Sequence, residues 1–403
     1  MVVLNKSLVN ESAIKQPKKI ELLLCCTRTQ MSAEYAERIH HLVSHNIDWD
    51  ELVKIARRHG VLPLLYWQLK DICPEVVPTD VLVQLRNSNF ANTKKNLNLT
   101  VELLKLLKLF QSNNIPIIPF KGPILAISVY KHLSLREFVD LDILVPEEFV
   151  VRTGEILADC GYQPQFNLSD AQKQKYISIG NEQMFRHKDK QVTVDLHWQI
   201  LPKSFKENTA LIWASNEQVN FRGNLLPTLS NDVLLLYLCE HGTKHSWSHL
   251  KFICDLAELI RCNPNLNWDG ILAQSNKIGN QRMLFLGLYL CQDLLGTVLP
   301  ENISQQVKSN REVENIAHQV QKQLFSPSQE SLNVFHQRNI YLSTLSLKDR
   351  LGFYLSTLIT PTLIELTMIP LTNWLFPLYY LIRPIRLTLK HGTQKFKSIF
   401  FTK

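Results

Sequence analysis

Residues 115–145, IPIIPFKGPILAISVYKHLSLREFVDLDILV, read as strand, turn, helix, loop and strand. The run from Ile115 to Phe120 is apolar and rich in β-branched residues, which suits a buried strand. Lys121-Gly122 makes the turn, and Pro123 falls in the first turn of a helix, where proline is tolerated. That helix continues from Ile124 to Tyr130, and Val139 to Val145 forms a second strand. Strand side chains alternate, so Asp140 and Asp142 share one face while Leu141 and Ile143 take the other. Two carboxylates on one face repel each other, and a bound divalent cation offsets that repulsion.

A third acid extends the pattern. Val192-Thr-Val-Asp-Leu-His-Trp198 is another strand-like run, with Asp195 and His197 on one face. Three convergent carboxylates, Asp140, Asp142 and Asp195, can hold Mg²⁺ through oxygen ligands. Two such ions can activate an attacking oxygen and neutralise a leaving phosphate. The Lys121-Gly122 turn adds a phosphate cradle. Glycine allows close backbone approach, a helix N-terminus favours anions, and lysine supplies a point charge. Arg136 lies in the loop before Asp140, where it could face a triphosphate or pair with an acid. His197 could orient an acceptor or hydrogen-bond the aspartate, and a purely structural role reads equally well. His241, Lys244 and His245 share one helical face and could meet a nucleotide. Tyr130 and Trp198 read as packing residues, and Asp255 as the partner of a basic helix residue.

The order of these elements resembles the polymerase-β-like nucleotidyltransferase superfamily. The closer resemblance is to a bacterial family of uncharacterised nucleotidyltransferases. It is carried by Lys121-Gly122, Tyr130, Arg136, Asp140-Leu-Asp142-Ile-Leu-Val145, Val194-Asp-Leu-His-Trp198, and the helix bearing His241, Lys244, His245 and Trp247. It spans about residues 20 to 300. Two departures stand out: the superfamily has Gly-Ser where this chain has Lys121-Gly122, and Val139 takes a position that is often serine. The resemblance implies an enzyme that moves NMP from an NTP to an acceptor hydroxyl and releases pyrophosphate, using two Mg²⁺ ions. It implies Asp140, Asp142 and Asp195 as catalytic and metal-ligating residues. Lys121, Gly122, Arg136, Lys244 and His197 would then hold the nucleotide. The acceptor could be a small molecule, a protein or an RNA.

Composition bounds these readings. The chain has 403 residues, of which 45% are hydrophobic and 20% charged, ordinary for a soluble globular protein with a proper core. Much of the net charge of +8 sits at the end, where no acid follows Glu365. The excess is therefore weak support for a nucleic-acid groove in the core. None of the eight cysteines forms Cys-x-x-Cys, which argues against a structural zinc site. With no signal-peptide pattern at the start, the expectation is reduced thiols and a cytoplasmic location.

The expected fold class is α+β: a small mixed β-sheet core flanked by N- and C-terminal helical lobes. Residues 1–17 read as a tail, 18–113 as a helical lobe, and 114–202 as the α/β core of four or five strands. A hairpin of residues 181–198 around Lys188-Asp189-Lys190 belongs to that core. Residues 203–345 read as a second, helical lobe, with a loop at Ser326-Pro-Ser. The helix from Asp80 towards Ser112 reads as largely buried. Residues 346–403 change character, apolar first and then basic. Residues 366–403 suit packing on the helical lobe or weak peripheral membrane contact, with Trp374, Phe376, Tyr379 and Tyr380 preceding Arg383 and Arg386. A true span by residues 366–382 is the third reading, weakened by a length at the minimum, two prolines and an asparagine. A non-catalytic nucleotide-binding or membrane-surface protein on the same fold is the alternative to an enzyme.

Overall fold

The structure, a computed structural model, describes residues 17–201, 209–326, 334–369 and 371–400. The expected tail and most of the Ser326-Pro-Ser loop lie outside them. The chain divides into two compact units. One comprises Met1–Leu109, Ile118–Leu141 and Leu201–Thr344; the other comprises Phe110–Ile117, Asp142–Ile200 and Leu345–Lys403.

The fold is α+β, as expected, with a five-stranded mixed sheet in the order β1-β2-β5-β4-β3. The strands are β1 (Ile118–Pro119), β2 (Leu141–Leu144), β3 (Tyr162–Pro164), β4 (Glu182–His187) and β5 (Thr193–His197). The first strand is shorter than the apolar run suggests, because Pro116 and Pro119 lack the N–H that a ladder needs. The second begins at Leu141, so Asp140 sits in the bend just before it. The hairpin forms as expected: β4 and β5 are antiparallel, with Met184 opposite Asp195 and Glu182 opposite His197.

The Thr79–Ser112 helix runs 34 residues, all but its last three in the first unit. It is less buried than its sequence suggests. Val81, Leu85, Leu99, Leu103, Leu106 and Phe110 are buried, but Phe90 is 72% exposed. Trp247 is the largest fully buried side chain among the described residues of this unit. Trp247 lies beyond the end of the Asn231–Lys244 helix, not within it. Ser246 and Trp247 adopt φ of 55° and 50°, which reverses the chain. Gly242 and Gly287 make room for the indole; a Cβ on Gly242 would come within 2.6 Å of it.

Residues 203–345 are not wholly helical. The first unit also holds a hairpin of β6 (Glu217–Phe221) and β7 (Asn224–Thr228). Arg222 and Gly223 both take positive φ, 49° and 84°, as a two-residue hairpin turn of this hand requires. Polar, half-exposed strands of this kind carry little apolar alternation, which is why the pattern was easy to miss.

In the second unit, Leu168, Leu366 and Tyr379 form a buried cluster with Phe166, Tyr176 and Phe376 around it. Part of the C-terminal segment therefore packs against the Asp170–Ile179 helix region. Gln172 of that helix donates a hydrogen bond to the Leu366 carbonyl at 2.6 Å.

Candidate active site

In the first unit, four of the expected residues come together: Lys121, Gly122, Arg136 and Asp140. Gly122 has φ +51°, and a Cβ there would lie 3.0 Å from the Asp140 carbonyl oxygen. Only glycine fits both demands. The Lys121-Gly122 turn is thereby held against the backbone that enters β2. The Lys121 ammonium stands over the Tyr237 ring, 5.4 Å from its centroid.

Arg136 is committed to an acid. Its Nε and Nη2 donate to the two carboxylate oxygens of Asp255 at 2.8 and 2.9 Å. The Tyr130 hydroxyl donates to the same carboxylate at 2.7 Å. Asp255 and Tyr130 are both buried. The basic partner foreseen for Asp255 is thus a loop residue rather than a helical one. The loop itself is anchored by two asparagines one helical turn apart. Asn96 Nδ2 donates to the carbonyls of Leu133 and Arg136 at 2.6 and 2.8 Å, and Asn92 Nδ2 to that of Ser134 at 3.2 Å. Neither was singled out in the sequence, although an Asn-x-x-x-Asn pair in a long apolar helix is a visible signal.

Lys251, also missed, stands in the field of Arg136, Asp255, Glu137 and Asp140. Burial lowers its pKa, the Arg136 charge adds to that, and the three carboxylates oppose it. Along the Asn231–Lys244 helix, Tyr237 stacks on His241, and His245 stacks on Phe252. Lys244, at the end of that helix, is exposed. Burial pushes the Glu240 carboxyl up to about 7, with the Lys244 charge opposing it.

The second unit holds Asp142, Asp195 and His197. Asp142 and His197 are buried and Asp195 half-buried. His197 Nε2 lies 3.2 Å from Asp142 Oδ1, so the histidine of β5 meets the aspartate of β2. Its other ring nitrogen, Nδ1, lies 3.3 Å from Glu182 Oε2. The β4–β5 register explains that contact, because Glu182 and His197 are directly opposite. Glu182 was not foreseen; the hairpin register was the signal that could have found it. Trp198 is core, its Nε1 donating to the carbonyls of Ile177 and Gly180.

A comparison with known protein families matches residues 45–296, more than half of the chain, to the uncharacterised nucleotidyltransferases. The chain belongs to that family. Its domain is one of general nucleotidyl transfer, and the family implies an NTP substrate. All eight candidate site residues fall inside the matched range, and the helices from Leu347 onward fall outside it. A search of curated proteins finds no match.

Nucleotidyltransferases generally use a divalent metal. Among the described residues, no group of three His, Cys, Asp or Glu side chains stands ready to hold an ion. The donor chemistry nonetheless suits Mg²⁺, since the motif supplies carboxylate oxygens. Mg²⁺ is commonly bound by one or two carboxylates together with substrate phosphates and water, without a dedicated protein cage.

Proposed function

We propose that this protein transfers NMP from an NTP to an acceptor hydroxyl, with release of pyrophosphate and with two Mg²⁺ ions held by Asp140, Asp142 and Asp195. When bound, those ions would activate the acceptor oxygen and balance charge on the leaving pyrophosphate. Asp195 would help accept the acceptor's proton. Lys121, Lys244 and Lys251 would contact the outer phosphates, and Gly122 would let the backbone approach them. Arg136 would act indirectly, because its guanidinium holds the loop to Asp255. His197 would fix the orientation of Asp142. A cytoplasmic location belongs to the same proposal.

The observation that supports this reading best is the close approach of Gly122 to the Asp140 carbonyl, which leaves no room for a Cβ. It sets a lysine-bearing turn beside the first residue of the Asp-x-Asp motif, as charge-based handling of a triphosphate requires. The test is incubation with each α-labelled NTP and Mg²⁺ in the presence of a cell extract, followed by identification of the labelled product. Wild type should label an acceptor, and Asp140→Asn should not. Equal labelling by both, or tight NTP binding without any transfer or pyrophosphate release, would replace this reading with that of a nucleotide-binding module.

A further inference from the structure

The Leu347–Ile359 helix has no buried residue. Leu347, Leu351, Tyr354, Leu355 and Leu358 recur at helical spacing and form one exposed apolar stripe. Leu347 is 82% exposed. Beyond it, Trp374 is 79% exposed, and Leu378, Leu381, Ile385 and Leu389 are exposed as well. Arg383 Nε donates to the Thr357 carbonyl at 3.0 Å, which ties this helix to the Tyr379–Phe400 helix.

The charges of this segment are sorted. Glu365 is fully buried and receives Arg383 at 3.1 Å and Arg386 at 2.5 Å. Burial alone would raise its pKa. Hydrogen bonds from Thr362 and Arg386, with the Arg383 charge, outweigh that and bring it down to about 2. Arg383 and Arg386 are therefore internal, not free to meet a membrane as their sequence positions suggest. The net charge is nonetheless strongly positive: residues 346–403 hold eight basic residues and two acids, and four lysines with no acid follow Arg386.

We propose that the stripe on the Leu347–Ile359 helix, with Trp374, docks in the plane of an anionic lipid bilayer surface. An outward apolar stripe, an exposed tryptophan and a segment of positive net charge are the features of an interfacial helix. A second copy of the chain is the competing occupant, and it would bring the same positive charge to the contact. Spanning is disfavoured. Among the described residues, the 22-residue stretch Leu347–Met368 is long and apolar enough to cross by length and composition, with an 18-residue window of mean hydropathy 1.2. However, the helix stops at Ile359, before Pro361, and its 13 residues reach only about 20 Å against a hydrocarbon core of about 30 Å.

The test uses the intact protein and sedimentation with vesicles of phosphatidylglycerol or of phosphatidylcholine, at low and high salt. Wild type should sediment with phosphatidylglycerol vesicles at low salt and be released at high salt. The double variant Leu351→Glu/Leu355→Glu should bind them at least about tenfold more weakly. Quenching of tryptophan fluorescence by brominated lipid should fall in Trp374→Phe, which serves as a second readout should the double variant fold poorly. The proposal is overturned if wild type ignores phosphatidylglycerol vesicles, or if Trp374→Phe leaves the quenching unchanged. It is overturned equally if the stripe variants convert a dimer to a monomer without changing vesicle binding.

Discussion

Asp255 and Asp142 are both buried aspartates, and their partners differ in kind. In the first unit, Asp255 receives a bidentate arginine and a tyrosine hydroxyl. Arginine is permanently charged, so the pair is neutral and its geometry rigid. In the second unit, Asp142 faces His197, which it shares with Glu182. One imidazole between two carboxylates leaves that trio negative whether or not the ring is protonated. Residue type and burial thus do not separate these two acids; the charge of the partner does.

The largest expected effect breaks the Asp142 side of this comparison. Asp142→Asn should lower NMP transfer by about a thousandfold or more, equivalent to over about 4 kcal/mol of barrier. Asparagine can still accept a hydrogen bond from His197, so stability should stay within about 1 kcal/mol of wild type. Asp140→Asn should behave alike. Transfer rates and urea unfolding of the same samples check both halves, and full activity in the two variants would remove the metal-binding proposal.

Breaking the Asp255 side should reverse the pattern. Arg136→Ala takes the bidentate cation from the buried Asp255 carboxylate, leaving the Tyr130 hydroxyl and the more distant Lys251 charge, and should cost about 3 kcal/mol of stability. A loss under about 1 kcal/mol in urea unfolding would show that Asp255 is held by other means and that the two aspartates are more alike than their partners suggest.

Glu240 extends the comparison to an acid whose pKa is raised, to about 7, by burial, with Lys244 only partly opposing it. Its charge also acts on Tyr341, whose pKa burial and Glu240 together push up to about 12. The unfolded carboxyl titrates near 4.3, so between about pH 4.5 and 7 the folded state holds a proton that the unfolded state has released. Stability from this group is therefore lost as pH rises through that window. Glu240→Gln should match wild type at pH 4 and exceed it at pH 8 by on the order of 2–3 kcal/mol. Thermal melts at the two pH values check this, and equal midpoints at pH 8 would place the carboxyl in contact with solvent.

Much of this arrangement was legible because it is local. The Lys121-Gly122-Pro123 turn, the strand that carries Asp142 and the β4–β5 hairpin follow from turn chemistry and period-two alternation over short stretches, whereas Asp140 falls in the bend before its strand. What escaped was either weakly patterned or distant. Strand β3 is three residues long, and β6 and β7 are too polar to show a buried face. The Arg136–Asp255 pair joins residues 119 apart, and nothing near either one marks the other. The C-terminal segment escaped for a third reason: composition identified its apolar and basic residues, but only packing decides that Arg383 turns inward to Glu365 while Leu351 and Trp374 turn outward.

The smallest expected effect sharpens the comparison at the far end of the His197 contact. Glu182 is the outer carboxylate of the trio, and its side chain is 45% exposed. Exposed ion pairs are screened by water and contribute roughly 0–1 kcal/mol. Glutamine keeps an acceptor 3.3 Å from His197 Nδ1 and removes only the charge. Glu182→Gln should therefore reduce transfer by less than about tenfold while leaving stability unchanged. If His197 serves to orient Asp142, His197→Ala should cost more than Glu182→Gln, and Asp142→Asn more than either. A Glu182→Gln loss as deep as that of Asp142→Asn would contradict this ordering. Glu182 would then be a member of the working site in its own right, and the negative charge of the trio, rather than the orientation of one aspartate, would be what the site requires.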